Sequence, residues 1–195
     1  MRKIGEGAEA RLFETSLFGR RAVVKVRQEK GYRAKELDFA LRTSRTRREA
    51  RLLHKAREAG VGAPRVIALG KFSIYMERIE GKLLKDCAVR ASEYGKIGVL
   101  LARMHNRGII HGDFTPANLM VVGKEFCVID FGLAVENGSD EEKAIDLLLM
   151  KRSVQESRYR NLERAYAREA EGSREVLRRL SEVEKRGRYQ IRTLT

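Results

Sequence analysis

The sequence predicts an α+β fold in two unequal parts: a small antiparallel sheet with one helix, then a mainly helical part. Three observations carry this. Residues 1–26 hold two strand-like stretches, "ARLFETSL" and "RAVVKV". The apolar positions of residues 35–59, and of most of the chain after residue 80, recur at helical spacing. Between them and the end, "IIHGDFTPANLMVVGKEFCVIDFG" (residues 109–132) places acids and an amide between short apolar runs that make buried strands.

In order, the first two stretches join through "FGRR" with Gly19 at the turn and read as a hairpin, with "GEGAEA", Gly5 to Ala10, between the first two strands. A helix runs from about Lys35 to Ala59, where Gly60 stops it. "PRVIALGKFSIYM" supplies a second hairpin turning at Gly70-Lys71. Ile97, Leu101 and Met104 fall on one helical stripe, and Ile145, Leu148 and Leu149 on another. There is no repeat and no low-complexity segment, and Pro64 and Pro116 are the only prolines.

With 195 residues, 43% of them apolar, the chain can bury a real core. The N-terminal stretch "MRKIGEGAEARLFE" has no apolar signal-like region and no long uncharged apolar run follows, so a cytoplasmic protein with no membrane association is expected. Two cysteines without CxxC pairing and three histidines give neither a disulfide framework nor a zinc site; Cys127 reads as a packed strand residue. A formal charge of +14 attracts polyanions, so a nucleic acid or an acidic partner is a reasonable expectation. The same arginine-rich composition suits a protein of a hot environment, where surface ion pairs lose less to desolvation.

The chemistry is read from 109–132. In "VIDFG", Asp130 follows an apolar strand and can bind a divalent ion, while Gly132 lets the backbone turn behind it. In "HGDFTPAN", Asp113 can accept a proton from an attacking hydroxyl or water, and Asn118 offers a neutral metal ligand. Two carboxylates and an amide around Mg suit phosphoryl transfer. The small residues of "GEGAEA" let backbone N–H groups approach phosphate oxygens, though such a turn is more often only a turn. Lys25, inside a half-buried strand, needs an anion such as an ATP phosphate. In "RTRREARLLHKA", Glu49 heads the stripe of Leu52, Leu53 and Ala56 and is the carboxylate expected to hold Lys25; Glu36 is the competitor, with a less clean stripe.

These residues resemble the protein-kinase superfamily in order and spacing. The resemblance implies a bilobal protein-kinase-like fold: a small antiparallel-sheet N-lobe plus one helix, residues 1–76, and a shortened, mainly helical C-lobe, residues 77–195, with a basic tail from about 185. It implies ATP and Mg as cofactors, with Gly5, Gly7, Ala8, Glu9 and Ala10 as the phosphate loop and Lys25 and Glu49 as the ion pair. Asp113 then stands as the catalytic aspartate, and Asn118 and Asp130 as metal ligands. "YMERIEG" looks like the hinge, with the backbone of Glu77 and Ile79 toward adenine, and His111 and Asp146 look like supports of the catalytic loop.

The departures narrow the family. Gly112 stands where typical protein kinases keep the arginine that receives a phosphorylated loop, Thr115 replaces a lysine, Ala10 replaces a glycine, and no APE triplet follows Gly132. Free peptide substrates are therefore not expected. "GAEARLF", "RTRREARLL", "HGDFTPANLM", "IDFGLA" and "EEKAIDLL" resemble the PRPK family, the small kinase subunit of the KEOPS complex, over nearly the whole chain. RIO kinases and small-molecule phosphotransferases fit less well, the former on the DFG triplet. The resemblance implies an atypical Ser/Thr kinase or ATPase that supports threonylcarbamoyl-adenosine formation on tRNA, bound to the threonylcarbamoyl-transferase subunit and other KEOPS subunits. The alternative is a basic scaffold joining partners to tRNA. Toward tRNA, residues 42–57 carry seven Lys or Arg against one acid, and "KRGRYQIRTLT" carries Lys185, Arg186, Arg188 and Arg192 with none, which reads as a free segment able to wrap a polyanion.

Overall fold

The computed structural model describes residues 1–192, with side chains to residue 186. Strands β1 (Arg2–Glu6), β2 (Ala10–Leu17), β3 (Arg20–Arg27), β4 (Val66–Leu69) and β5 (Ser73–Glu77) form an antiparallel sheet in the order β1-β2-β3-β5-β4. Strands β2 and β3 pair over their full length, Ala10 opposite Arg27 and Leu17 opposite Arg20. The hairpin closes through Phe18 and Gly19, at φ 51° and 72°. Two successive left-handed residues match the twist of the flanking strands, and Gly19 takes that conformation without a Cβ clash.

Helix α1 (Lys35–Glu58) enters between β3 and β4, and Gly60 at φ 72° ends the run, as the sequence predicts. Its inner face buries Thr46, Glu49, Ala50, Leu52, Leu53 and Ala56. Ala50 meets Ile74 and Met76 of β5, so the helix is packed on the sheet by a small apolar cluster.

After β5 the chain passes through residues 78–81 into β6 (Lys82–Leu83), α2 (Tyr94–Asn106), β7 (Ile109–Ile110), β8 (Leu119–Val122), β9 (Glu125–Val128) and β10 (Val135–Glu136). Helices α3 (Asp140–Ser153), α4 (Glu156–Glu169) and α5 (Ser173–Arg192) follow. Strands β6, β8 and β9 form one small sheet, and β10 pairs with β7. The main core lies here, with Leu101, Met104, Phe114, Phe131, Leu162 and Tyr166 fully buried. Each such side chain is worth about 1.5–3 kcal/mol of burial. Helix α2 approaches α4 so closely at Gly98 that a Cβ there would strike the Leu162 carbonyl. Helix α3 starts on a capping box, in which Ser139 Oγ accepts from Glu142 N and Ser139 N donates to Glu142 Oε2 at 2.7 Å.

Two expectations are corrected. The α2 stripe holds, but α3 buries Ala144, Leu147, Leu148 and Met150, while Ile145 is 37% exposed. The polar Asp146 is turned fully inward, and that rotation puts its neighbour Ile145 outside. The stretch expected as a free tail from about 185 continues α5 as helix to Arg192, and Arg186 pairs with Glu141 of α3 at 3.1 Å. The stripe of Val176, Leu180 and Val183 packs on the core and carries the helix outward. The side chains of Arg188 and Arg192, and all of residues 193–195, lie outside the described residues. Among the described residues, no helix is long and apolar enough to cross a membrane.

Candidate active site

Alternation along β3 puts Lys25 and Arg27 on the same face, and both are buried. Lys25 Nζ lies 2.6 Å from Glu49 Oε1 and 2.6 Å from Asp130 Oδ1. Burial opposes the ammonium charge, but Glu49 and Asp130 outweigh it and hold the Lys25 pKa above its ordinary value. Glu49 is shared, since its Oε2 accepts from Arg27 Nη2 at 2.5 Å. The competitor, Glu36, is exposed at the start of α1.

Asp130 stands just past β9 at φ 60°, a conformation few non-glycine residues adopt. Its Oδ1 accepts from Lys25 and from Gly132 N at 3.1 Å. Burial pushes its carboxyl up, but Lys25 and the Gly132 amide outweigh that and keep it below the ordinary carboxylate range. A Cβ at Gly132 would sit 2.9 Å from that same oxygen and 3.2 Å from Lys25 Nζ, so a side chain there would push on the ion pair itself.

The 3-10 turn Pro116–Asn118 brings Asn118 back onto Asp113. Asn118 Nδ2 donates to Asp113 O at 2.9 Å and to Asp113 Oδ2 at 2.8 Å. Beneath this loop, Asp146 accepts from His111 N at 2.7 Å and from Gly112 N at 2.9 Å. His111 Nδ1 accepts from Asp113 N at 3.3 Å, so its Nε2 carries the proton and donates to the Ile129 carbonyl at 3.1 Å. Gly112 adopts φ 78°, and a Cβ there would lie 2.8 Å from Leu133 O, so no arginine fits at this position.

Between the sheet and the helical part lies a cavity of about 410 Å³, lined among others by Leu12, Val23, Lys25, Met76, Asn118 and Asp130. Glu49, Glu77 and Ile79 also line it; the Glu77 N–H is already taken by the Arg65 carbonyl at 2.8 Å. Asp113 joins the group through Asn118, and His111 and Asp146 support the loop from below. Gly5 belongs to β1, Ala10 to β2, and Gly7 N donates to Ala10 O at 2.9 Å, so Gly5, Gly7, Ala8, Glu9 and Ala10 form the tight turn beside this cavity without lining it. The Glu9 side chain is drawn to Arg27, Arg33 and Arg45, which leaves only its backbone for a phosphate. A second recess of about 540 Å³, by Lys55, His105, Asn137 and Lys143, holds none of the predicted site residues.

The donor set fits magnesium. With Asn118 Nδ2 bound to Asp113 and Asp130 Oδ1 bound to Lys25, Asn118 Oδ1 and Asp130 Oδ2 are left without a hydrogen bond among the described residues. No group of three or more His, Cys, Asp or Glu that could hold a metal occurs among the described residues. An ion here would complete its shell with phosphate oxygens and water. Arg27 is the functional candidate that the sequence reading missed; its signal was a second cation two residues after Lys25 in a half-buried strand.

A model of the RIO domain matches residues 13–168. The chain is 39% identical to the "Probable serine/threonine-protein kinase BUD32 homolog" of Archaeoglobus fulgidus, covering 95% of this chain and 94% of that one. It is 33% identical to the "KEOPS complex subunit Bud32" of Pyrococcus abyssi, covering 99% and 98%. It is 35% identical to the "Probable bifunctional tRNA threonylcarbamoyladenosine biosynthesis protein" of Methanothermobacter thermautotrophicus, of whose length the chain spans 36%. Among solved structures, the Rio2 kinase complex with ADP, Mg²⁺ and phosphoaspartate from Chaetomium thermophilum superposes with a TM-score of 0.68 at 17% identity, covering 97% of this chain and 70% of that one. That likeness is one of fold. The RIO likeness, expected to fit less well on the DFG triplet, holds at the level of the domain, and the Bud32 names refine it.

Proposed function

Because the chain belongs to the RIO-domain family and, within it, to the Bud32 proteins, we propose that it binds Mg-ATP in the 410 Å³ cavity and transfers or hydrolyses the terminal phosphate. In this reading residues 1–76 are the N-lobe and 77–195 the C-lobe, with residues 78–81 as the hinge and Ile79 offering its backbone to adenine. The observation that carries it is Lys25 held between Glu49 and Asp130 in the cavity that Asn118 also lines.

Asn118 Oδ1 and Asp130 would hold magnesium, which supplies charge neutralisation on the transferring phosphoryl group. Lys25 exchanges its bond to Asp130 for one to a nucleotide phosphate while keeping Glu49. The turn from Gly5 to Ala10 closes on the phosphates with the amides of Ala8 and Glu9 at its tip, the Gly7 N–H being given to the Ala10 carbonyl. Asp113, oriented by Asn118, takes the proton of the attacking hydroxyl or water. His111 and Asp146 hold the loop in register.

Residues 133–139 leave little room for a peptide platform before α3, so the acceptor in this reading is water, the chain itself or a bound partner. The names of the relatives support a serine/threonine kinase, a KEOPS subunit and tRNA threonylcarbamoyladenosine biosynthesis; in this reading the chain is an atypical Ser/Thr kinase or ATPase working beside a threonylcarbamoyl-transferase and other KEOPS subunits. A cytoplasmic site of action accords with that.

Mg-dependent nucleotide binding and ATP turnover, measured alone and with the transferase partner, test the reading. Asp130→Ala is expected to abolish both metal-dependent binding and turnover. Parent-like Mg-ATP binding by that variant would show the site assignment to be wrong.

A further inference from the structure

Arg27 takes no part in the steps above, yet it is only 5% exposed and meets three segments of the site. Its Nη2 donates to Glu49 Oε2 of α1 at 2.5 Å, and its Nη1 donates to Glu9 Oε2, in the turn between β1 and β2, at 3.3 Å. A Cβ on Gly132, beside the metal-side Asp130, would lie 3.8 Å from Nη2. Its Nε is buried without a hydrogen-bond partner. A buried donor without a partner calls for an explanation, and the ion pairs around Arg27 supply one.

Glu9 is gripped from more than one side. Arg45 of α1 and Arg33, at 3.7 Å, also pair with it, and the Arg45 hydrogen bond leads in keeping its carboxyl below the ordinary value. Ion pairs therefore run without a break from the glycine-rich turn through Glu9, Arg27, Glu49 and Lys25 to Asp130. A guanidinium is a rigid planar fork that can hold two carboxylates at once, whereas an ammonium is a point charge on a flexible stem.

We propose that Arg27 is a positioning residue that links the glycine-rich turn to the Lys25–Glu49 pair, so that closure of the turn and seating of Lys25 are one event. The functional consequence rests on the phosphotransfer reading; the link itself does not.

Arg27→Lys keeps the charge but offers one nitrogen where Nη1 and Nη2 reach Glu9 and Glu49 separately, and Glu9→Gln removes the other end of the link, together with the charge that Arg33 and Arg45 pair with, at a partly exposed position. Amide hydrogen exchange of residues 7–10 without nucleotide is the first readout, and KM for Mg-ATP against kcat the second. Each variant is expected to raise both exchange and KM about tenfold, the effect of one lost charge-assisted bond. For Arg27→Lys, kcat stays within about threefold of the parent. The double variant is expected to resemble Glu9→Gln alone, since that change already breaks the Arg27 link along with the pairs to Arg33 and Arg45. Parent-like exchange in Arg27→Lys overturns the proposal, and so does a fall in kcat at unchanged KM, which would put Arg27 at the reacting atoms. If the parent binds no Mg-ATP, the phosphotransfer reading fails, while raised exchange in the two variants still upholds the link.

Discussion

The Asn118 amide nitrogen lies 2.8 Å from the Asp113 carboxylate and 2.9 Å from the Asp113 carbonyl. One side chain thereby fixes the aspartate's rotamer while leaving its own oxygen without a hydrogen bond, so the proposed base and a proposed metal ligand are positioned by a single turn of chain.

Asp113→Asn is expected to leave nucleotide affinity near that of the parent and to slow turnover by about 100-fold or more, the usual size of general-base catalysis. Single-turnover rates together with equilibrium binding of a fluorescent nucleotide check this. Unchanged turnover would place the base elsewhere.

Asp146 accepts from the backbone amides of His111 and Gly112 and is fully buried. Asp146→Ala leaves both amides without that acceptor and should cost about 3 kcal/mol or more of folding stability. Urea denaturation measures it; a loss below about 0.5 kcal/mol, the size of an ordinary surface change, would contradict the role.

His105 is buried against Asp146, which lies 3.3 Å from its Nε2, and against Tyr166, whose hydroxyl lies 2.8 Å from its Nδ1. Burial lowers its pKa most; the Asp146 bond and charge oppose this, Lys143 and His111 add to the lowering, and the net is a value below the ordinary 6.5. The unfolded chain binds this proton first, so stability is full above the ordinary value and falls as the pH drops through it. Urea curves at pH of about 7.5 and about 5.5 should show the parent losing more stability than His105→Gln, and equal losses would exclude His105 as the source.

Much of the site was legible because its residues sit where a pattern isolates them. Lys25 interrupts an apolar strand, Glu49 heads a clean helical stripe, and Asp113, Asn118 and Asp130 lie at the ends of short apolar runs. What escaped depends on partners distant in sequence. The pairing of Arg27 with Glu9 and Glu49 needs the sheet register and the docking of α1 together. Hydropathy alone puts Ile145 on one stripe with Leu148 and Leu149, whereas the inward Asp146 decides the rotation of α3. The basic end reads as a free segment because its own composition is polar, while its helix grows from the buried Val176 and Leu180 upstream.

Arg186 pairs with Glu141, so the expectation that residues 185–195 contact tRNA phosphates is tested on Lys185 and on Arg188 and Arg192, whose side chains lie outside the described residues. If all three make contact, removing those residues flattens the slope of log K against log salt by roughly 2 to 3 units. Titrations of full-length and shortened protein at several salt concentrations decide it, and identical slopes would assign this end to another purpose.

Phe131 is fully buried with its ring edge-on to His111, 5.1 Å between centroids, and His111 is itself bonded to the Ile129 carbonyl. For anyone seeking a drug-like inhibitor, that seat sets a selection rule. A compound that fits only after the phenyl ring has swung out must vacate a core position, at about 3–5 kcal/mol. Such a compound forfeits roughly two to four orders of magnitude in affinity before making its first contact. Chemical probes for this pocket should therefore come from scaffolds that accept Phe131 where it lies and draw selectivity from the Met76 and Ile79 rim instead.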